Sequence, residues 1–302
     1  MKTNCFTLIA LLAISLHVSA QKLDYTFKVL VNKGKNEVKV KTGNDWLQLK
    51  TGSVLKSGDK VKISDNAYLG LIHLSGKPLE VKQSGTFEVD DLAKKLNVNT
   101  SVINKYTDFM LSSNEAKKNR LAATGAVHRG AAAIKVYLPK ADNALLFGNQ
   151  VAIHFVKEED SPYVIHLKSV FGDDLMRAET TDTLYTVNLD DPKFQNEDNI
   201  IVEVYPKGKE DKKQDPAYII KKLSTADKDR IRTSMKELAI DPAEQSAMNK
   251  YLLAMFYEEN NLLIDAIRSY QEAIKLAPDA TQFSDDYNQF LIRYGIKEKK
   301  TE

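Results

Sequence analysis

The chain has one cysteine, Cys5, and one tryptophan, Trp46, among its 302 residues. Cys5 lies just before the apolar run Phe6–Leu16 and leaves with it if that run is a removed leader. A mature chain starting near Gln21 then holds no thiol, which excludes disulfides and cysteine nucleophiles and leaves stability to packing. An excess of one charge sign is also missing: 43 basic residues face 41 acidic ones, a formal net charge of +2. No long-range field of the kind that gathers nucleic acid is expected. Long apolar runs are absent beyond Phe6–Leu16, which is shorter than the roughly 20 residues a spanning helix needs. With Lys2 before it and Val18-Ser19-Ala20 after it, this stretch reads as a secretory signal peptide, residues 1–20, cut after Ala20. The expectation is an exported protein, periplasmic or secreted, with no transmembrane segment in the mature chain.

Motifs of catalysis are missing as well. The histidines after the leader, His73, His128, His154 and His166, form no His-Glu-x-x-His pattern. His154 and His166 fall on strands expected to be neighbours, which permits a metal pair, but Lys168 beside His166 speaks for a solvated face. The acidic groups Glu158-Glu159-Asp160, Asp173-Asp174 and Asp190-Asp191 fall at expected turns, where carboxylates punctuate strands. Paired carboxylates also serve glycan hydrolysis, and Asp173 with Asp174 is the pair such a reading would use. The stretch from Asp190 to Asp198 lacks the alternating spacing of a helical calcium loop. No Gly-x-Ser-x-Gly elbow occurs, and Gly125 and Gly130 are followed by no Gly-Lys-Ser/Thr. The expectation is no enzyme, no catalytic residue, no metal and no cofactor.

What is present divides into an α+β chain of several domains. From 21 to 97 apolar residues alternate: Tyr25, Phe27, Val29 and Val31, then Val38 and Val40, Val61 and Ile63, Leu79 and Val81. Turn signals such as Asn32-Lys33-Gly34 and Ser75-Gly76-Lys77-Pro78 separate them, so many short strands are expected. The run Leu55-Lys56-Ser57-Gly58-Asp59-Lys60-Val61, the strand Gly70-Leu71-Ile72-His73-Leu74, then Leu79-Glu80-Val81 and Gly85-Thr86-Phe87, resemble a FecR-like periplasmic domain. That family couples such a domain through a membrane helix to a sigma factor. This chain has neither that helix nor a cytoplasmic tail, so the resemblance implies only an exported β domain.

Residues 98–131 read as a linker helix and loop, with Val98, Val102, Ile103, Tyr106, Phe109 and Met110 on one face. From 132 to 223 alternation returns. Candidate strands are 134–138, 144–147, 151–156, 163–170, 175–179, 183–189, 200–205 and 218–223. This is similar to an immunoglobulin or fibronectin-type β-sandwich, without the cysteine pair or buried tryptophan of the former.

From 224 to 302 the period is helical. Ser224 or Thr225 caps a first helix with the stripe Ile231, Met235 and Leu238. Apolar residues at helical spacing flank a polar break at Glu258-Glu259-Asn260-Asn261, which predicts an amphipathic hairpin. Leu253, Ala254, Tyr257, Ala266, Tyr270, Ala273 and Pro278 fall on the consensus places of a tetratricopeptide repeat, which this hairpin resembles; Lys250 stands where the family has tryptophan. A last helix with Phe283, Tyr287, Phe290, Leu291 and Tyr294 would cap it. The resemblance implies an adaptor that binds other envelope proteins, with Tyr251, Tyr257 and Tyr270 as partner-binding residues. The alternative is a protein binding cell-wall glycan through its β domains, with Trp46 and Tyr68 as stacking surfaces.

Overall fold

The structure is a computed structural model that describes residues 25–96, 134–213, 217–238 and 240–298. The expected leader, the expected helix after Asn99 and His128 lie outside the described residues. The chain is α+β, β-rich in its first two thirds and helical at its C-terminal end.

Alternating apolar residues build a first unit of two four-stranded antiparallel sheets. One has the order β4 (Val54–Leu55), β1 (Phe27–Lys33), β6 (Tyr68–His73) and β7 (Pro78–Val81). The other has β3 (Leu47–Gln48), β2 (Asn36–Lys39), β5 (Lys60–Ile63) and β8 (Gly85–Glu88), followed by the short helix α1 (Val89–Lys94). Phe27, Val29, Leu55, Leu69 and Leu71 from the first sheet meet Val38, Val61 and Ile63 from the second in one core. A bulge between Val29 and Val31 breaks the two-residue period of β1. It turns Leu30 and Val31 together away from this core, where they join Tyr68 and Ile72 against the helices.

The second unit is a two-layer sandwich. One layer has the order β12 (Asp174–Thr180), β11 (Tyr163–Ser169), β14 (Asn199–Pro206), β15 (Tyr218–Lys222) and β9 (Leu145–Leu146). The other pairs β10 (Gln150–His154) with β13 (Leu184–Asn188). All pairs are antiparallel except β15 with β9. The stretch expected as a strand over 134–138 makes only a bridge, Val136 with Phe155.

Four helices follow: α2 (Thr225–Glu237), α3 (Ala247–Glu259), α4 (Leu263–Leu276) and α5 (Thr281–Arg293). Ser224 caps α2 as expected, its Oγ accepting from Asp227 N at 3.2 Å. The α3–α4 turn places Asn261 at φ +56, a left-handed conformation that asparagine tolerates. The second helix ends at Leu276, two residues before Pro278.

The sequence predicts an amphipathic hairpin, and for α3 the structure differs. Every residue from Ala247 to Glu258 is buried. Such a helix is surrounded by protein, not laid on one face. Here α3 packs on α4 and on β7 of the first unit, while α4 also lies against β9 and β10 of the second. The N-terminus of α3 is tied down twice. Ser246 Oγ accepts from Asn249 N at 3.1 Å, and Glu80 of β7 accepts from Met248 N at 2.7 Å. Gly70 makes the close approach possible: a Cβ there would fall inside van der Waals contact of Met248 Sδ. The two β units and the helices therefore share interior surface, with Ile264 of α4 entering the core of the second unit.

Candidate interaction surfaces

Tyr251, Tyr257 and Tyr270 do not lie where a partner would meet them; all three are buried within the chain. Tyr251 donates its hydroxyl to Asp286 Oδ2 at 2.5 Å and sets its ring against Tyr270 and Phe283. Tyr270 donates to Glu258 Oε2 at 3.2 Å, and Tyr257 packs on Phe147 of the β9–β10 turn. Burial first, then the adjoining carboxylates Asp286 and Glu258, push the phenols of Tyr251 and Tyr270 well above the ordinary tyrosine range. Of the remaining repeat-type positions, Leu253, Ala254, Ala266 and Ala273 are buried and Pro278 is exposed.

Glu258, assigned to the polar turn, is inside α3 and pairs with Arg293 of α5 at 2.7 Å, both side chains almost wholly buried. Lys250, where the repeat family has tryptophan, is buried too. Its Nζ reaches Glu272 of α4 at 3.2 Å, an ion pair across the hairpin. Asp265 has no exposed surface, and its carboxylate accepts from the backbone N–H groups of Phe147 at 2.8 Å and Gly148 at 2.9 Å. It fastens α4 to the β9–β10 turn. Burial raises its pKa to about 6, against the lowering effect of those two bonds.

The histidines separate. His154 on β10 faces the Tyr137 ring at 4.7 Å, whereas His166 on β11 belongs to the other layer. They are not on neighbouring strands, because β13 and not β11 is the partner of β10. His166 sits in a polar cluster on the outer face of its sheet. Its Nε2 is 2.6 Å from Asp174 Oδ1, and its Nδ1 is 3.3 Å from the Tyr205 hydroxyl. Glu203, one strand over, holds Lys168 at 3.0 Å and Lys213 at 3.3 Å. Burial opposes ionisation of Glu203, but these two lysines outweigh it and hold its carboxyl below the usual range.

Asp173 and Asp174 point to different groups: Asp173 Oδ2 accepts from Ser169 Oγ at 3.0 Å, while Asp174 takes His166. Glu159 is engaged by Lys209 and Lys212, Asp160 by Lys157, and Asp191 by Lys193. Among the described residues no group of three metal-ligating side chains converges, and no helix is long and apolar enough to cross a membrane.

Two further features bear on binding; the sequence singled out Trp46 but not Phe171. The β11–β12 turn presents Phe171 at 90% exposure with Val170 beside it at 46%. The turn is built rigidly: Ser169 Oγ accepts from Phe171 N and Asp173 N at 3.2 and 3.1 Å, and Gly172 takes φ +94. The other feature is Trp46, only half-buried, with Leu47 54% exposed beside it. Tyr68, its companion in the glycan reading, is buried under α5, its ring against Phe283. Both residues of the short edge strand β3 are exposed, which single-residue hydrophobicity does not reveal.

Comparison with protein-family models gives no match, and comparison with curated proteins gives none either.

Proposed function

We propose that the protein is an exported, non-enzymatic adaptor of the cell envelope, made of a FecR-like β domain, an immunoglobulin or fibronectin-type sandwich and a tetratricopeptide-like helical module. The strand order of the second unit agrees with a fibronectin-type arrangement, and the helical hairpin with its capping helix agrees with a single repeat. In this reading the helices hold the two β units in a fixed relation, and partners meet the β surfaces. The observation that carries it is Phe171: a large apolar ring held in solvent by a turn with its own hydrogen bonds. A pre-ordered aromatic loses little entropy on contact, which is what a binding anchor needs.

The test is a photo-crosslinking amino acid placed at Phe171, with a second at Leu276 as an exposed control, in cells that make the protein. One discrete adduct at Phe171 and none at Leu276 is the expected result. Equal, diffuse labelling at both positions would remove Phe171 as an anchor.

A further inference from the structure

The outer face of sheet β3-β2-β5-β8 carries a second surface of different chemistry. Val38 and Asn36 of β2, with Val61 and Ile63 of β5, point inward, so Lys39, Glu37, Lys60 and Lys62 point out. The register sets Lys39 directly opposite Lys60 and Glu37 opposite Lys62. Two like charges facing each other across an antiparallel pair are destabilising. Lys60 is drawn toward Glu88 at 2.6 Å on its other side, whereas Lys39 has no ion-pair partner among the described residues. Gln48 of β3 lies opposite Glu37 and shares the outer face. Trp46 immediately precedes β3, and Lys62 of this face has its Nζ 5.8 Å from the Trp46 ring centre.

The charge of the two β units differs in the same sense. Residues 25–96 hold thirteen lysines against eight carboxylates, while residues 134–213 hold ten basic side chains against fifteen. The near-neutral total conceals a basic first unit and an acidic second one. An anion approaching the molecule is therefore drawn to the unit that also carries the chain's sole indole, half-buried at Trp46.

We infer that this face binds an anionic saccharide, with Trp46 stacking under a sugar ring and Lys39, Lys60 and Lys62 taking its carboxylate or sulfate groups. An aromatic plane with cations beside it matches a pyranose that bears charge at its rim. An acidic peptide would satisfy the lysines but offer the indole no ring. The surface is separate from Phe171, so an adaptor without it remains an adaptor.

Because Trp46 is the only tryptophan, its fluorescence reports this face alone. The full chain would be titrated with an oligogalacturonate, a neutral chitin oligosaccharide of equal length and a polyglutamate peptide. Binding would be followed by fluorescence and by calorimetry. Oligogalacturonate alone should shift the emission, and more weakly as salt is added. Lys39→Gln should weaken binding about tenfold, the loss of one charge-assisted bond, without lowering the melting temperature, since it removes a like-charge opposition. Trp46→Phe should weaken binding while the chain still melts cooperatively. Equal binding of polyglutamate, equal binding of the neutral sugar, or no heat and no shift with any probe would overturn the assignment.

Discussion

Asp265 shows how a single residue sets a contact and a pH dependence together. Its carboxyl titrates near 6 in the folded chain, above the ordinary aspartate value of about 3.9 in the unfolded one. A raised acid binds its proton more tightly when folded. Its contribution to stability is therefore greatest below about pH 4 and falls away as pH rises to about 6, by about 3 kcal/mol in all. Asp265→Asn should flatten the stability profile over that interval, measured by urea unfolding at a series of pH values. An unchanged slope would place the titration elsewhere. Gly70 is decided by contact alone, since its Cβ would meet Met248. Gly70→Ala should cost about 1–3 kcal/mol by overpacking, and a melting temperature equal to the parent's would show that α3 does not approach so closely.

At the scale of elements, the three C-terminal helices are held by polar bonds inside an apolar pack. Glu258 and Arg293 join α3 to α5 with both side chains out of solvent. Removing Arg293 takes away the countercharge of a buried carboxylate, so Arg293→Met should destabilise by about 3–5 kcal/mol. Arg232→Met, which breaks an exposed pair with Asp229 in α2, should cost less than about 1 kcal/mol. Chemical denaturation of both variants makes the comparison, and similar losses would mean that the α3–α5 pair is hydrated. Between α3 and α4, Ala266 and Ala273 are wholly buried, and replacing either by leucine should separate the helices at a cost of about 1–3 kcal/mol.

For the whole molecule, shared interior implies shared unfolding. Leu30, Val31, Tyr68 and Ile72 of the first unit lie in the same cluster as the residues of α3, and Ile264 of α4 lies in the core of the second unit. Denaturation followed by Trp46 fluorescence, which reports the first unit, should coincide with the loss of helical circular dichroism at the other end of the chain. Two separated transitions would show that the units fold independently and that the interface adds little.

The strands of both units were readable because short apolar or alternating runs are set off by turn residues, even where, as in β6, β11 and β14, both faces are largely buried. Candidate segments 163–170, 183–189 and 200–205 differ from β11, β13 and β14 by one residue or so at their ends. The bulge in β1 was not readable, since Leu30 and Val31 are both apolar and nothing local says which way each turns. The burial of Tyr251, Tyr257 and Tyr270 was illegible for a related reason. A helical period shows which side of α3 meets α4, but not that β7, 168 residues away in sequence at the Glu80–Met248 contact, covers another side.

Residue spacing alone sets the local elements: where alternation makes strands, where a helical period takes over, where Ser224 and Pro278 mark helix ends. These follow from backbone geometry and side-chain spacing, which act over a few residues. Which surfaces are left over follows from the packing of the folded chain. It buried the tyrosines that the hairpin was expected to offer, put Phe171 in solvent and left Trp46 half-buried. Exposure is a property of what packs against a residue, and that is settled by contacts between segments far apart in the chain.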